Sequence, residues 1–239
     1  MLDFVVPPRY TLENLLVHEG IRAAINTLCS AYRQSSDTLL PALIWGPSGT
    51  GKTHILHAIL EFIDKHEKAD HPPGVFLGAH GKPPRFPELA HFVSNSGVHP
   101  LPRVVAVDDV HLMEPGDAAH LWTLYNVMDR KGRALLLGSR ISPEELFQEN
   151  PHMRSRLLSG LVVWLDHPSD HTKLLIMEKL ALDRQVAIPP AVLRYLVVRR
   201  CRSIGNLEQI LNILDRESLR QKRKITIPFL KELEREGIL

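Results

Sequence analysis

LLPALIWGPSGTGKTHILHAI, residues 39–59, joins an apolar run to a glycine-rich turn and then to a helical pattern. The turn matches the phosphate-binding pattern GxxxxGK[ST] at every defined position, with Gly46, Pro47, Ser48, Gly49, Thr50, Gly51, Lys52 and Thr53. Its glycines let backbone N–H groups face a phosphate, and the following helix points its positive end at the same place. The stretch therefore predicts a nucleoside triphosphate site directly after a buried strand.

The side chains of this loop have separate expected roles. Lys52 would reach the β- and γ-phosphate oxygens, and the Thr53 hydroxyl would take one position on Mg²⁺. His54, the next residue, is included among the nucleotide-binding residues. The loop leaves open whether the chain hydrolyses ATP as an enzyme or holds ATP or ADP to set its shape for a partner.

Composition places the chain among ordinary globular proteins of the reducing cytoplasm. Its 239 residues include no apolar run of the about 20 residues that span a bilayer, so no membrane partner is expected. The N-terminus lacks a secretory signal pattern, and the two cysteines, Cys29 and Cys201, are far apart. Residues 1–168 carry 15 basic and 18 acidic side chains, whereas residues 169–239 carry 14 and 9. That basic portion could face phosphates or an acidic partner, or simply be the solvated surface of helices.

The pattern of apolar residues predicts two domains. Short apolar runs alternate with helical patterns up to residue 168, which favours an α/β domain with a five-stranded parallel sheet and helices on both faces. The predicted strand runs are 39–46, 74–79, 104–109, 134–139 and 161–166. Ile55, Ile59 and Ile63 form one stripe of the helix after the loop. A short helix between loops is expected within residues 79–103.

Residues 169–239 contain no strand pattern and are predicted to be a helical subdomain of about four helices. The first helix is expected to begin after a capping Ser169, and the last after Thr226. The third is expected to cover residues 206–224. The predicted organisation is therefore an α/β domain over 1–168 and an all-helical subdomain over 169–239.

Three polar residues follow predicted strands next to the phosphate loop. The run VVAVDD ends in Asp108, which is expected to hold Mg²⁺, and Asp109, which is expected to polarise the attacking water. Two acids that merely end a strand in a loop are the alternative. Ser139 ends the strand run ALLLG and is a candidate to orient water or contact the γ-phosphate, although Gly-Ser also commonly ends strands.

Arginines in MRSRL, residues 153–157, are further candidates, Arg156 above all. Arginine stabilises phosphoryl charge bidentately, either within one chain or across a subunit interface. An arginine pair on a solvated surface is the alternative, because exposed charged residues are usually only solvated.

Four stretches together resemble the AAA+ domain of DnaA, the bacterial replication initiator, and more closely its shorter relatives of the Hda type. They are YTLENLLVHEG (10–20), GKTHILHAI (51–59), VDDVHLM (107–113) and MRSRLLSGL (153–161). NLEQILNILDRESL and KITIPFLKELE resemble the C-terminal helices of the Hda type, so the resemblance covers essentially the whole chain. It implies a P-loop AAA+ fold with a helical lid and a nucleotide in the cleft between them.

The resemblance also implies roles for particular residues. Ser139 falls in the sensor-1 region, and Arg156 matches the arginine finger that acts on nucleotide held by the next subunit. Val17 and His18 lie where the family packs against adenine. Gly205 stands where a sensor-2 arginine is expected; Arg202, one helical turn earlier, is a candidate substitute. The missing arginine puts efficient hydrolysis by this chain in doubt.

Resemblance to the Hda type also suggests partners. The chain shows neither the DNA-reading helix-turn-helix domain of DnaA nor its helicase-contacting domain, so it is not expected to act as an initiator. Hda-type proteins bind the sliding clamp through an N-terminal peptide. Leu2 and Phe4 of MLDFVV keep the apolar alternation of that peptide but without its glutamine. A disordered or strand-like N-terminus without this role is the alternative.

Three functions remain open at this point. The preferred hypothesis is a regulator that holds ATP or ADP and uses Arg156 against DnaA–ATP to limit replication initiation, with contact between copies of the chain also implied. The main alternative is a stand-alone DNA-dependent ATPase or helicase loader, which the basic helical portion and the complete loop favour. A pseudo-ATPase scaffold is the third, because of Gly205.

Overall fold

The computed structural model describes residues 10–34, 38–66, 72–78, 86, 89, 91, 92, 101–148, 150–200 and 204–239. Some predicted features lie outside these residues, namely Leu2, Phe4, Arg202 and most of segment 79–103. The described chain divides into two compact units, one chiefly Arg9–Pro47 with Gly51–Asp166 and the other chiefly His167–Leu239. Among the described residues, no helix combines the length and the apolar character that crossing a membrane requires.

The first unit alternates helices and strands. In chain order its elements are α1 (Glu19–Gln34), β1 (Ala42–Trp45), α2 (Lys52–His66), β2 (Val75–Leu77), β3 (Val104–Val107), a 3-10 turn (Val110–Leu112), α3 (Pro115–Arg130), β4 (Ala134–Ser139), α4 (Pro143–Leu146), α5 (Pro151–Leu158) and β5 (Leu161–Trp164). Each observed strand lies inside the run that predicts it.

Within the described residues, five strands form one parallel sheet in the order β2-β3-β4-β1-β5. In the centre of the sheet, Leu43 of β1 lies opposite Leu137 of β4 and Val162 of β5. Every residue of β3 and β4 is buried, which is why these strands read as continuous apolar runs. The predicted parallel five-stranded sheet is confirmed.

Helices cover both faces of the sheet. Alternate residues of a strand point to opposite faces, so Ala42 and Ile44 pack with α1 and α2, whereas Leu43 packs with α3 and α5. The predicted stripe of α2 is confirmed, because Ile55 and Ile59 are fully buried in the first of these two cores. The buried strands thus hold the loop between β1 and α2 at a fixed edge of the sheet.

The second unit is a helical subdomain with its own core. Its helices are α6 (Asp170–Asp183), α7 (Pro190–Arg200), α8 (Ile204–Gln221) and α9 (Ile227–Arg235). Both predicted caps are present: the Ser169 hydroxyl accepts the Thr172 N–H at 3.2 Å, and the Thr226 hydroxyl accepts the Phe229 N–H at 3.3 Å. Residues of all four helices share one apolar core.

The third helix of this subdomain ends earlier than predicted. The sequence pattern places its end at residue 224, whereas α8 ends at Gln221. Lys222 adopts a left-handed conformation, with φ of 51°, and the Arg223 N–H donates to the Ser218 carbonyl at 3.0 Å. This arrangement closes a helix C-terminus, but it usually carries glycine. A lysine in that place gives no signal in the sequence.

Candidate functional site

The carboxyl ends of three neighbouring strands bring the predicted site residues together. β4 lies between β1 and β3, so the segments that follow Trp45, Val107 and Ser139 meet at one edge of the sheet. The N–H of Gly46 donates to the Ser139 carbonyl at 3.2 Å, which fixes the start of the phosphate loop to the end of β4. Loops at the carboxyl edge of a parallel sheet are the usual place for ligands in α/β folds.

The phosphate loop needs its glycines. Gly46, Gly49 and Gly51 have φ of 149°, 78° and 92°, values that residues with a side chain rarely adopt. A Cβ added to Gly46 would also overlap the carbonyl oxygen of Leu165. The backbone of the loop is therefore set by residue type, as the pattern predicts.

Lys52 is the first residue of α2 and is only 7% exposed. Its Nζ donates to the carbonyl oxygens of Gly46 at 2.8 Å and Pro47 at 2.6 Å. Burial lowers the pKa of Lys52, and the nearby Asp108 partly opposes that shift. The ammonium group is thus held by the loop that precedes it, at the carboxyl edge of the sheet.

Thr53 and Asp108 form the oxygen pair expected for Mg²⁺. The Thr53 hydroxyl donates to Oδ2 of Asp108 at 2.5 Å, and the Asp109 N–H donates to Oδ1 at 2.8 Å. Burial raises the pKa of Asp108, while the Thr53 hydrogen bond opposes the shift. Because Mg²⁺ is usually bound by one or two protein oxygens together with phosphates and water, this pair fits the ion.

Gly138 makes room for Asp108, a role that was not predicted from the sequence. A Cβ at Gly138 would overlap Oδ1 of Asp108 and would come within 2.9 Å of Leu56. A glycine inside an apolar strand often marks a close approach of this kind, so the signal was present in ALLLGS.

Asp109 lies beside a histidine and an arginine that sequence reasoning also missed. It begins the 3-10 turn in a left-handed conformation, with φ of 54°. Its Oδ1 is 4.0 Å from Nδ1 of His111 and 4.0 Å from Nε of Arg140. Arg140 directly follows the candidate Ser139, and that adjacency was the available signal.

Ser139 is fully buried and uses its hydroxyl locally. Oγ donates to the Ile141 carbonyl at 2.9 Å and accepts the Ile141 N–H at 3.1 Å, which closes the turn after β4. Its contact with a γ-phosphate therefore stays a prediction.

Arg156 lies on α5 against α3. Its Nη1 donates to Oδ1 of Asn126 at 2.9 Å and is 3.8 Å from Oδ2 of Asp129. The guanidinium also lies over the rings of Trp122 and Tyr125, at 5.3 and 6.0 Å from their centroids. The side chain is 48% exposed. These neighbours lie 27 to 34 positions earlier in the chain, and periodicity gives no sign of them.

Val17 and His18 immediately precede α1. Val17 packs against the core of α1 and α2, and the buried His18 accepts the Gly20 N–H on Nδ1 at 3.1 Å. Burial lowers the pKa of His18. Their predicted packing against adenine stays a prediction.

His54 and Gly205 have simpler surroundings. Nε2 of His54 is 3.1 Å from the carbonyl oxygen of Thr11, so its ring faces the segment before α1. Gly205 lies in the first turn of α8 and is exposed, and a Cβ built there meets no atom of the described residues within 4 Å.

Two family models match separate parts of the chain. The model described as "Bacterial DnaA ATPase domain" matches residues 6–72, which include the phosphate loop. The model described as "Hda, lid domain" matches residues 170–233, which include most of the helical subdomain. Both agree with the family that the sequence motifs indicate.

Known proteins similar to this chain include DnaA itself. A protein of Haemophilus influenzae described as uncharacterised is 29% identical over 231 residues, which is 94% of this chain and 90% of the relative. The chromosomal replication initiator protein DnaA of Tropheryma whipplei is 24% identical over 215 residues, or 85% of this chain. The chain spans only 43% of the length of that DnaA.

A solved structure confirms the fold. Domain III of the Thermotoga maritima replication initiation protein DnaA superposes with a TM-score of 0.77 at 20% identity, over 92% of this chain and 93% of that domain. The predicted P-loop AAA+ fold with a C-terminal helical lid is therefore correct.

Proposed function

On the premise that this chain is a DnaA-related AAA+ protein with an Hda-type lid, we propose that it binds ATP or ADP and promotes hydrolysis of the ATP held by DnaA. The observation that carries the proposal is Arg156, whose half-exposed guanidinium is held at the surface by replaceable contacts. The nucleotide bound by this chain would set its shape, and Arg156 would act on the nucleotide of the partner.

Binding of the chain's own nucleotide is supported by the phosphate loop and its acids. Lys52 would exchange its two carbonyl partners for β- and γ-phosphate oxygens. Thr53 and Asp108 would hold Mg²⁺, which supplies charge neutralisation at the phosphates when bound. Asp109 would polarise water at this site, and the other predicted contacts, Ser139 and the Val17–His18 pair, belong to the same proposal.

The energetics of Arg156 favour its release to a partner. A cation–π contact at an exposed site is worth about 0.5–1 kcal/mol. An exposed ion pair, such as that with Asp129, is worth about 0–1 kcal/mol. Arginine binds phosphate through two parallel charge-assisted hydrogen bonds, which are stronger than neutral ones. A partner's triphosphate can therefore replace the contacts to α3.

The resemblance to the family supports the remaining partners of the proposal. Leu2 and Phe4 would dock on the sliding clamp, so that the protein works where DNA is being replicated in the cytoplasm. Contact between copies of the chain would use the Arg156 surface in the same way.

ATP hydrolysis by DnaA tests this function. DnaA loaded with ATP is mixed with clamp, DNA and the protein, and phosphate release is followed for wild type, Arg156→Ala and Arg154→Ala. Arg154 is the matched control, because it lies two residues away on the same helix. We expect wild type and Arg154→Ala to stimulate release, and Arg156→Ala to lose most of the stimulation.

The outcomes separate cleanly. An arginine that acts on a partner's triphosphate is worth about 10³-fold or more in rate, so a partial effect is not expected. No stimulation by wild type, or equal stimulation by wild type and Arg156→Ala, would reject the proposal.

A DNA-dependent ATPase is the second candidate, and the excess of basic residues in 169–239 favours it. Single-stranded DNA binding that changes with ATP and weakens steeply with salt would support this reading. Negligible binding at low salt would count against it.

A further inference from the structure

Arg140 lies at the same edge of the sheet as the phosphate loop and the two acids, Asp108 and Asp109. It directly follows Ser139, whose carbonyl oxygen accepts the N–H of Gly46 at 3.2 Å. On the other side of β4, Leu137 lies opposite Val107, the last residue before Asp108. Arg140 therefore follows the central strand at the edge where the phosphates and Mg²⁺ would bind.

The guanidinium of Arg140 is available for a ligand. It is 49% exposed, and among the described residues its ion pair is with Asp109, at 4.0 Å from Nε. A good charge-assisted hydrogen bond is about 2.7–2.9 Å long, so this pair leaves the donors of the guanidinium largely unused.

His111 gives Asp109 a second neighbour. Its side chain is 8% exposed, and neither ring nitrogen has a hydrogen-bond partner among the described residues. Nδ1 lies 4.0 Å from the same Oδ1 that faces Arg140. Burial lowers the pKa of His111, which favours the neutral ring. If Arg140 moved to a ligand, the His111 ring would still lie beside the Asp109 carboxylate.

We infer that Arg140 binds the γ-phosphate of the nucleotide held by this chain and exchanges Asp109 for it when ATP replaces ADP. The inference rests on the nucleotide binding proposed above and assigns the recognition of the third phosphate to one residue. Ser139, the neighbouring candidate, has its hydroxyl bonded to Ile141 and is buried, whereas Arg140 is exposed and charged. ADP would leave Arg140 paired with Asp109.

The test is the ratio of the dissociation constants for ATP and ADP. Isothermal titration with each nucleotide and Mg²⁺ is carried out on wild type, Arg140→Gln and Arg140→Lys. Arg130→Gln is the control, because it removes an exposed guanidinium from the C-terminal end of α3. Thermal melts of every variant in ADP show that it is folded.

We expect Arg140→Gln to weaken ATP binding by about tenfold to a hundredfold, the equivalent of one charged hydrogen-bonding interaction, and to leave ADP binding nearly unchanged. Arg140→Lys should fall between wild type and Arg140→Gln, and Arg130→Gln should match wild type. Asp109→Asn should shift the ratio in the opposite direction, because it removes the competitor for Arg140.

The results that would contradict the role of Arg140 differ from those that would contradict the proposed function. Normal ADP binding with an unchanged ATP-to-ADP ratio in Arg140→Gln would overturn the role of Arg140 alone. Equal weakening of both nucleotides would also overturn it, because the residue would then contact shared parts of the ligand. If wild type bound neither nucleotide, both the proposed function and this inference would be wrong.

Discussion

Lys52 and Arg156 are both cations suited to phosphate, yet the fold treats them in opposite ways. Lys52 is buried at the carboxyl edge of the sheet and bonded to two backbone carbonyls of its own loop. Arg156 is half-exposed and leans on side chains of α3. The fold itself holds Lys52 in place, whereas the proposed role of Arg156 requires a second surface to complete its site.

In the proposed function, the two regions have separate tasks. A buried, fully partnered site is organised before the nucleotide arrives and suits tight binding. A surface arginine held by weak contacts suits an interaction in which the second surface completes the site. Changes in the first region should alter nucleotide affinity, and changes in the second should alter the action on a partner.

Replacing Lys52 should give the largest effect. Lys52→Ala removes the ammonium group that bonds to the carbonyls of Gly46 and Pro47 and that would bind the β- and γ-phosphates. Because a charged hydrogen-bonding interaction is lost, we expect nucleotide affinity to fall by about a hundredfold. Titration with ATP and ADP measures the loss. Lys65→Ala, an exposed lysine at the end of the same helix, is the control. Unchanged affinity in Lys52→Ala would remove the distinction between the regions.

Replacing Gly138, which leaves room for the Asp108 carboxylate, should give the next largest effect. Gly138→Ala places a Cβ against Oδ1 of Asp108, and overpacking of this kind costs about 1–3 kcal/mol of unfolding free energy. Gly116→Ala is the control, because a Cβ there meets nothing within 4 Å in the part of the chain that the structure describes. Urea unfolding compares the two. A Gly138→Ala protein as stable as wild type would show that the Asp108 carboxylate is not held as described.

The contact between Arg156 and Trp122 should contribute less free energy than either of these features. A double-mutant cycle with Trp122→Ala and Arg156→Ala should give a coupling energy of about 0.5–1 kcal/mol, the value for an exposed cation–π pair. Urea unfolding of the four proteins gives the number. A coupling well above this range would mean that Arg156 is a fixed structural residue and not one available to a partner.

A pH effect at His18 should be the smallest. Burial lowers its pKa below the ordinary 6.5, so the unfolded chain binds the proton more strongly and stability falls as the pH drops below that value. His18→Asn should lose less stability than wild type between about pH 7.5 and about pH 5.5, because asparagine can accept the Gly20 N–H without titrating. Thermal melts at both values should show the difference, and parallel losses would contradict it.

The sequence predicted what depends on local pattern. The five strands, the stripe of α2 and the caps at Ser169 and Thr226 follow from periodicity and residue type, and the structure has them. Gln185 and Lys222, which follow the C-terminal ends of α6 and α8, adopt left-handed conformations. These conformations were not predicted because neither residue is glycine.

The site was predicted only as far as its motifs reach. Lys52, Thr53 and Asp108 come together because parallel strands end at one edge. Gly138 and Arg140 act through contacts across neighbouring strands, and Trp122 reaches Arg156 from another helix. Such pairings depend on tertiary packing, which a single sequence does not encode as a readable spacing.

The most direct measurement follows labelled ATP held only by DnaA. DnaA is loaded with γ-labelled ATP, the protein is supplied with ADP, and release of label is recorded in a single turnover with clamp and DNA. Wild type should accelerate the release, and Arg156→Ala should return it to the rate of DnaA alone. Equal acceleration by both proteins would contradict the claim that Arg156 acts on a nucleotide held by its partner.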